Sequence, residues 1–314
     1  MMNTPRTPGL LERWVLPTAG KIQEIATHEG IDAATTQLYQ SVLESPQHGA
    51  FIRRVDAIST RTRPRKWQAE ALLILVPGAF YRENPRSGAD GQLLREQAER
   101  LDCPTGIIPV ASRGTLKQNA RIICDWLLEH QEQPVILASL SKGGADVKMA
   151  LAEPDAAGAF KNVAAWVNLC GILNGTPMAE WLLSRNPAAL VNRLYYTLRG
   201  QGLGFLRDLG YGPGGPLDCA LQLPHHIRMV TIAGFPLREH LSSALARRCH
   251  RRLMYLGPND GSLVLSDVCA LPGLLYPIWG ADHYLRPPTD VHQLVLSVLQ
   301  YLDEELQWRR CLQS

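Results

Sequence analysis

The stretch that decides the fold reads PVILASLSKGGADVKMALA and covers residues 134–152. Its first part, Pro134 to Ala138, has the length and the β-branched content of a strand buried inside a sheet. The apolar run stops at SLSKGG, and an alanine-rich helical pattern begins immediately afterwards. These residues therefore predict a strand, a sharp turn with Ser141 at its apex, and a helix.

Small residues flank the predicted apex on both sides. Ser139 and Gly143 stand two positions before and after Ser141, which gives the pattern S-x-S-x-G. A strand, a crowded turn with serine at its apex and a helix form the nucleophile elbow, whose usual pattern is G-x-S-x-G. The turn lifts the hydroxyl clear of the sheet, and the helix directs its N-terminal amides at developing negative charge. The alternative interpretation is a serine- and glycine-rich turn that only closes a βα unit.

Further apolar segments on both sides of this stretch have the length of buried strands. They are 71–76 (ALLILV), 106–110 (GIIPV), 166–169, 229–233 (MVTIA) and 274–279. Helical patterns lie between or after them at 87–102, 115–131 and about 290–307. This alternation predicts an α/β protein with a mainly parallel, doubly wound sheet. We also interpret 51–59 as an early or edge strand, 253–256 as a further candidate strand and about 19–44 as a helical stretch.

The alternation of strands and helices breaks down between 174 and 227. This segment is rich in glycine and proline, carries an aromatic helical pattern and is too long for a simple connection. We predict that 174–227 forms a helical cap over the sheet. The core would then consist of 51–173 and 228–314, with 1–50 as an N-terminal helical extension.

Composition and charge describe an ordinary globular chain. Of its 314 residues, 46% are hydrophobic and 19% are charged, which suffices for a sizeable core. The formal net charge of +3 is too small to indicate a nucleic-acid partner, and we interpret the basic clusters RTRPRK (61–66) and RRCHRR (247–252) as solvated faces. No apolar run approaches the ~18 residues of a transmembrane span. The expected partner is a small-molecule substrate, and the sequence does not indicate the oligomeric state.

The cysteines and the N-terminal sequence indicate the cellular compartment of the protein. Seven scattered cysteines, an odd number without a C-x-x-C pair, indicate reduced thiols rather than a disulfide framework or a structural zinc site. The N-terminal sequence MMNTPRTPGLLERWVLPTAG lacks the continuous apolar segment of a signal peptide. We expect a cytoplasmic protein that needs no cofactor and no metal.

A serine hydroxyl becomes an effective nucleophile only when a histidine takes its proton and a carboxylate orients that histidine. Two later motifs supply these groups in the chain order that the elbow requires, Asp260 in PNDGSL and His283 in GADHY. Either 229–233 or 253–256 would be the strand that delivers Asp260. Asp260 could instead be an ordinary turn aspartate, and His283 an ordinary loop residue. Asp282 competes for the role of the acid, although a side chain adjacent to His283 usually points away from it.

Together, SLSKGG, VPGAF, PNDGSL and GADHY resemble the α/β-hydrolase superfamily, and more loosely its lipase and esterase branches, over about 51–307. The resemblance implies an eight-stranded sheet of the α/β-hydrolase type. It implies that Ser141 is the nucleophile, His283 the general base and Asp260 the acid that orients this base.

The resemblance also implies an oxyanion hole built from backbone N–H groups. These would belong to Lys142 and to Ala79 or Phe80. Two positions depart from the pattern of the superfamily. Ser139 replaces the usual first glycine of the elbow, and Pro77 stands where a histidine often precedes the glycine of the oxyanion loop.

The expected function is that of a serine hydrolase that cleaves a carboxylic ester or thioester through an acyl-enzyme. The alternatives are an acyltransferase or thioesterase that acts on a carrier-bound acyl group, and a non-catalytic binding protein of the same fold. Lys142 and the basic clusters would suit an anionic carrier, but the Lys142 side chain could equally reach solvent or pair with a nearby carboxylate. An ammonium near the site could also lower the pKa of His283. The residues predicted to contact the acyl substrate are Tyr81, Trp181, Leu182 and Tyr195, although core packing would explain cap residues equally well.

Overall fold

A six-stranded, all-parallel sheet forms the centre of the computed structural model. The structure describes residues 16–313 except 185, 188–189, 192–193, 195–196, 198–202, 242 and 287–289. In chain order the strands are β1 (Leu72–Val76), β2 (Thr105–Ile107), β3 (Val135–Leu140), β4 (Val163–Leu169), β5 (Arg228–Phe235) and β6 (Leu274–Trp279). Their order across the sheet is β2-β1-β3-β4-β5-β6, which places β3 between β1 and β4. The predicted parallel, doubly wound α/β sheet is confirmed.

Helices and short 3-10 segments connect the strands. The helices are α1 (Ala19–His28), α2 (Ile31–Glu44), α3 (Pro46–Ser59), α4 (Gln92–Arg100), α5 (Leu116–Glu129), α6 (Lys142–Ala150), α7 (Ala156–Ala159), α8 (Pro177–Leu183), α9 (Ala244–Leu253), α10 (Leu265–Cys269) and α11 (Val291–Gln313). The 3-10 segments are Pro85–Ser87, Phe160–Asn162, Gly204–Leu209, Arg238–His240 and Met254–Leu256. The strand, turn and helix predicted at 134–152 correspond to β3, Ser141 and α6.

The side chains of β1 divide between two buried clusters. Leu73 and Leu75 belong to one cluster, whereas Ile74 and Val76 belong to the other. This alternation is the two-residue period of a strand whose two faces are both buried. It explains why β1 reads as the continuous apolar run LLILV rather than as an alternation of apolar and polar residues.

The predicted edge strand at 51–59 is wrong, because these residues belong to helix α3. Ser45 caps this helix by accepting a hydrogen bond from the backbone N–H of His48, and Pro46 occupies its first turn. Its buried apolar residues recur at helical rather than alternating spacing. They are Phe51, Ile52, Val55 and Ile58. Phe51 packs edge-on against Tyr301 of α11, with 4.9 Å between the ring centroids.

Three further expectations differ from the structure. Residues 253–256 are not a strand, because they form the end of α9 and the 3-10 turn that follows it. The helical stretch at 19–44 is two helices, which Gly30 separates with a φ of 94° that only glycine adopts readily. The resemblance implies eight strands, whereas the sheet has six within the described residues.

The segment between β4 and β5 is fastened to α6. Its described part includes α8 and the 3-10 segment Gly204–Leu209. Lys148 of α6 is 3% exposed, and its ammonium donates hydrogen bonds to the carbonyl oxygens of Leu173 at 2.7 Å and Leu217 at 2.9 Å. Burial lowers the pKa of Lys148. One side chain therefore holds two points near the ends of the segment predicted as a cap.

Two sequence-based expectations concern the whole chain. None of the helices in the described ranges combines the length and the apolar character that a membrane crossing needs. No disulfide joins any of the seven cysteines, all of which lie in the described part of the chain.

We expect Gly143→Ala to destabilise the fold strongly, because α6 starts in close contact with the end of β1. A Cβ atom at Gly143 would overlap the carbonyl oxygen of Val76 and lie 2.8 Å from that of Pro77. Backbone atoms of the central sheet cannot move aside, so we expect a loss of about 2 to 3 kcal/mol in the free energy of unfolding. Urea denaturation followed by circular dichroism measures this loss.

Gly158→Ala is the matched control for this substitution. A Cβ atom at Gly158 would meet its nearest neighbour, Leu128 Cδ2, at an ordinary 3.7 Å. Alanine also favours the helical conformation of α7, so we expect stability to stay the same or rise slightly. Equal stability of the two variants would contradict the close contact between α6 and β1.

Candidate active site

Ser141 stands at the apex of the turn between β3 and α6. Its backbone has φ 48° and ψ −115°, a conformation that residues other than glycine rarely adopt. Backbone hydrogen bonds hold this turn from several sides. The N–H of Ser141 donates to Leu169 O at 3.0 Å, and its carbonyl oxygen accepts from the N–H groups of Ile172 and Gly144, each at 3.0 Å. The hydroxyl is therefore presented by a rigid, strained turn.

His283 lies on the loop that follows β6, and its Nε2 atom is 3.1 Å from Ser141 Oγ. Gly234 of β5 makes room for this loop. A Cβ atom there would overlap Ala281 O and lie 2.6 Å from Asp282 O. The backbone N–H of His283 also donates to Asp260 O at 2.9 Å. The loop is thus fixed against both β5 and the loop of Asp260.

Asp260 completes a chain of three side chains, because its Oδ2 atom is 3.0 Å from His283 Nδ1. Its other oxygen, Oδ1, accepts the backbone N–H groups of Ser262 at 2.8 Å and Leu263 at 2.7 Å. Asp260 is 1% exposed. It is therefore a turn aspartate and a partner of the imidazole at once. The strand that precedes it in the chain is β5, since 253–256 is not a strand, and α9 lies between.

Asp282 does not bond to the imidazole. Its Oδ1 atom accepts the backbone N–H groups of Tyr284 at 2.8 Å and Arg286 at 3.1 Å. This agrees with the expectation that it points away from His283. Asp282 stabilises the loop that carries the histidine.

The surroundings of His283 favour its charged form. The side chain is 8% exposed, and this burial lowers its pKa. The charge of Asp260 and its hydrogen bond act in the opposite direction, and the charge of Asp282 adds to them. These effects outweigh burial, so the pKa of His283 lies above its ordinary value. An imidazolium formed at this position is therefore stabilised.

Two backbone N–H groups beside Ser141 have no acceptor among the described residues, those of Lys142 and Ala79. Lys142 is the first residue of α6. Ala79 follows Gly78, at which a Cβ atom would lie 3.6 Å from Ser141 Cβ. The N–H of Phe80, the other candidate, donates to Ser112 O at 3.3 Å. Of the two residues considered for the second oxyanion donor, Ala79 is thus the one with an available N–H.

The ammonium of Lys142 is enclosed and paired. The residue is 1% exposed, and its Nζ atom lies 2.7 Å and 2.9 Å from the two carboxylate oxygens of Asp146. Pairing with a nearby carboxylate was one of the expected arrangements. A paired, buried charge does not attract an anionic carrier.

Cys170 is a neighbour of the histidine and aspartate that sequence patterns did not single out. Ligand atoms of Cys170, Asp260 and His283 lie within 4.8 Å of one another, a set of residue types that can bind a metal. Burial and the charge of Asp260 raise the pKa of this thiol well above its usual range, so it stays protonated at neutral pH. A metal needs the thiolate, and both ring nitrogens of His283 are already engaged. The cluster therefore fits a metal poorly.

The residues predicted to contact substrate make other contacts. Tyr81 is 9% exposed, and its hydroxyl donates to Val110 O at 2.9 Å. The guanidinium carbon of Arg252 lies 3.6 Å from the centre of the Trp181 ring, and Leu182 packs against the main hydrophobic cluster. Tyr195 lies outside the described residues. Substrate contact by these four residues stays a prediction.

We expect NMR titration of the His283 ring to give a pKa above the ordinary value of about 6.5. Asp260→Asn removes the two largest effects that raise this pKa, so burial should then dominate and bring it below the ordinary value. Asp282→Asn should lower it by less, since the amide oxygen can still accept the two loop N–H groups. The signal of the His283 ring is identified as the one that is absent from the spectrum of His283→Gln. An unchanged pKa in Asp260→Asn would show that this contact does not control the imidazole.

The arrangement can be compared with known proteins. No family model and no curated protein matches this sequence. Among solved structures, a metagenomic carboxyl esterase, MGS0156, aligns over 95% of this chain and 97% of its own, with a TM-score of 0.53 and 21% identity. The mature lipase BlEst2 of Bacillus licheniformis aligns over 77% of this chain and 93% of its own, with a TM-score of 0.50 and 21% identity. These likenesses, together with the parallel sheet and its central strand–turn–helix, show that the chain has the fold of the α/β-hydrolase superfamily.

Proposed function

We propose that this protein is a serine hydrolase that cleaves a carboxylic ester or thioester through an acyl-enzyme. The observation that carries the proposal is the chain from Ser141 Oγ to His283 Nε2, at 3.1 Å, and from His283 Nδ1 to the buried Asp260 carboxylate, at 3.0 Å. A nucleophile, a base and an acid that orients the base are the groups that acyl transfer requires. The esterase and the lipase of the same fold agree with this choice of reaction.

In the first half of the reaction, His283 Nε2 takes the proton of Ser141 as Oγ bonds to the carbonyl carbon of the substrate. The electron pair of the carbonyl moves to its oxygen. The N–H groups of Lys142 and Ala79 stabilise this oxyanion. When the carbonyl re-forms, the bond to the leaving group breaks, and His283 donates its proton to the departing alcohol or thiol.

In the second half, water replaces the leaving group. His283 takes a proton from the water as its oxygen attacks the acyl carbon, and the same two N–H groups stabilise the second oxyanion. Collapse of this intermediate releases the carboxylic acid and returns the proton to Ser141 Oγ. The imidazolium forms in both halves, so the raised pKa of His283 supports each step.

Two observations favour catalysis over simple binding. The positive φ of Ser141 costs about 1 to 3 kcal/mol, and such strain accumulates at active sites. Asp260 and His283 are buried, which is costly for ionisable groups that serve no further purpose. The alternative of a carrier-bound acyl substrate relied on Lys142 to attract an anionic carrier. Asp146 neutralises this ammonium, so Lys142 does not support that alternative.

We expect a fluorophosphonate probe to label Ser141 alone, because the elbow presents this hydroxyl beside a base. Intact-mass spectrometry and peptide mapping locate the adduct. Ser141→Ala should abolish both labelling and turnover of p-nitrophenyl esters while leaving the melting temperature nearly unchanged. Labelling that persists in Ser141→Ala would rule out Ser141 as the nucleophile. Parallel assays with an acyl-CoA separate ester from thioester substrates.

Asp260→Asn should reduce turnover about 10³- to 10⁴-fold while preserving the fold, because the neutral amide no longer stabilises the imidazolium or fixes its tautomer. Asp282→Asn is the matched control, since it also neutralises a buried carboxylate beside the same ring. We expect its effect on turnover to be far smaller. The opposite ranking in steady-state kinetics would assign the role of the acid to Asp282.

A further inference from the structure

The two N–H groups of the proposed oxyanion hole belong to different elements. Lys142 contributes its N–H from α6, and Ala79 from the loop that follows β1. Both donors must lie about 2.7 to 3.1 Å from the same oxygen, so the distance between them decides how well the hole functions. A misplacement of about 1 Å at such a site is costly. Some contact must therefore fix α6 relative to this loop.

The first part of that contact starts at Lys142. Its ammonium binds both oxygens of Asp146, at 2.7 Å and 2.9 Å, one turn further along α6. The Oδ2 atom of Asp146 also accepts a hydrogen bond from Asn119 Nδ2 of α5 at 2.9 Å. Lys142 and Asp146 are 1% exposed, and Asn119 is fully buried. These three side chains connect the start of α6 to α5.

Asn119 connects α5 to the loop that follows β2. Its Oδ1 atom accepts the backbone N–H of Ala111 at 3.0 Å, and its Nδ2 atom donates to Ala111 O at 3.1 Å. The amide thus binds both polar groups of one residue. This pair of hydrogen bonds fixes the position of the loop at 110–113.

The loop at 110–113 in turn holds the loop of Ala79. The carbonyl oxygen of Ser112 accepts the N–H of Phe80 at 3.3 Å, and the hydroxyl of Ser112 donates a hydrogen bond to Glu83. Tyr81 adds a hydrogen bond to Val110 O at 2.9 Å. A continuous set of contacts therefore runs from the residue after the nucleophile to the opposite wall of the proposed oxyanion hole.

We propose that Lys142, Asp146 and Asn119 form a buried frame that sets the width of the oxyanion hole, with Asp146 and Asn119 as positioning residues for the reaction. This inference rests on the proposed function. A buried ion pair is weak evidence of a contribution to stability, because well-packed apolar residues often serve as well. The frame also makes directed hydrogen bonds to two different elements, and apolar packing would not supply these.

The insertion between β4 and β5 covers one side of the frame. The ring centroid of Phe205 lies 5.8 Å from Lys142 Nζ and 5.5 Å from the ring centroid of Phe80. One aromatic side chain therefore contacts both the ammonium of the frame and the ring of the residue that follows Ala79. It also keeps water from the ion pair, which strengthens the hydrogen bonds within the frame.

The ionisation of Asp146 determines which variants are informative. The pKa of this carboxyl is raised to about 6, and burial is the largest cause. The charge of Lys142 and the hydrogen bonds from Lys142 and Asn119 oppose this rise, and the charge of Asp208 adds to it. Replacing Lys142 would therefore let Asp146 take up a proton, which changes two groups at once. Substitutions of Asp146 and Asn119 leave the backbone N–H of Lys142 in place. Asp146→Asn also removes the partner charge of the buried Lys142 ammonium, whereas Asn119→Ser leaves the ion pair intact.

The experiment measures kcat and KM of Asp146→Asn, Asn119→Ser and the double variant with p-nitrophenyl acetate. The shorter serine side chain that replaces Asn119 cannot reach Ala111 but leaves a polar group near Asp146. We expect kcat to fall about 10- to 100-fold in each single variant while KM changes less than twofold, because the hole binds the transition state rather than the ester. The double variant should lose less than the product of the two single effects, since both act on one frame.

Asp303→Asn is the control for the loss of a buried carboxylate. Asp303 of α11 is 5% exposed and accepts the backbone N–H groups of Gln68 and Ala69, which precede β1. We expect a lower melting temperature and an unchanged kcat. A second readout is the inhibition constant of an aryl trifluoromethyl ketone, whose serine adduct carries an oxyanion. It should rise in the frame variants by the same factor as kcat/KM falls.

The outcomes separate the two proposals. Wild-type protein that neither reacts with fluorophosphonate nor hydrolyses the ester would contradict the proposed function. An active wild type whose folded frame variants keep kcat and inhibitor affinity within twofold would overturn the frame alone. The frame would also be overturned if kcat fell in step with the melting temperature, and to the same extent in Asp303→Asn as in the frame variants. Should Asp146→Asn not fold, Asn119→Ser decides between the same outcomes.

Discussion

The backbone of Ser141 adopts φ 48° and ψ −115°, and the geometry of the site depends on this strained residue. An isolated chain would relax it. Here the ends of β1 and β4 and the first turn of α6 close around it, and backbone hydrogen bonds to Leu169, Ile172 and Gly144 oppose relaxation. Gly143 allows α6 to approach Val76 and Pro77 closely enough for this to happen. The strain is thus maintained by the packing of the whole sheet centre rather than by the turn itself.

A parallel sheet also explains why residues far apart in the sequence meet at Ser141. The carboxyl ends of parallel strands share one edge, so the loops after β1, β3 and β6 converge there. Asp260 reaches the same edge by a different route, through α9 and a tight turn. Its carboxylate is oriented by two N–H groups of its own turn, and its carbonyl oxygen binds the N–H of His283. The aspartate and the histidine therefore fix each other through both side chain and backbone.

Much of this arrangement was predictable from the sequence. Strands buried on both faces appear as unbroken apolar runs, so 274–279 was assigned with its observed bounds. The turn at Ser141 was recognisable because small residues must flank it. The error at 51–59 arose from partial alternation, although Ser45 and Pro46 form a recognisable helix start.

Other parts of the site depend on contacts that a single sequence does not encode visibly. Lys142 and Asp146 stand four residues apart on one helix, so their pairing could have been recognised. Asn119 lies 27 residues from Asp146, and nothing local marks the two as neighbours. Cys170 comes close to Asp260 and His283 only because the chain turns with a positive φ just after β4. Packing between elements decides such contacts.

Lys148 has a consequence for the segment between β4 and β5. Its ammonium binds carbonyl oxygens at Leu173 and Leu217, and those bonds involve backbone atoms that every amino acid carries. The sequence between the two anchor points can therefore change, lengthen or shorten while the anchors persist. Substitutions between these two points would leave both hydrogen bonds and α6 in place. Lys148 thus holds α6 to the backbone of this segment, and most of the sequence of the segment is free of that constraint.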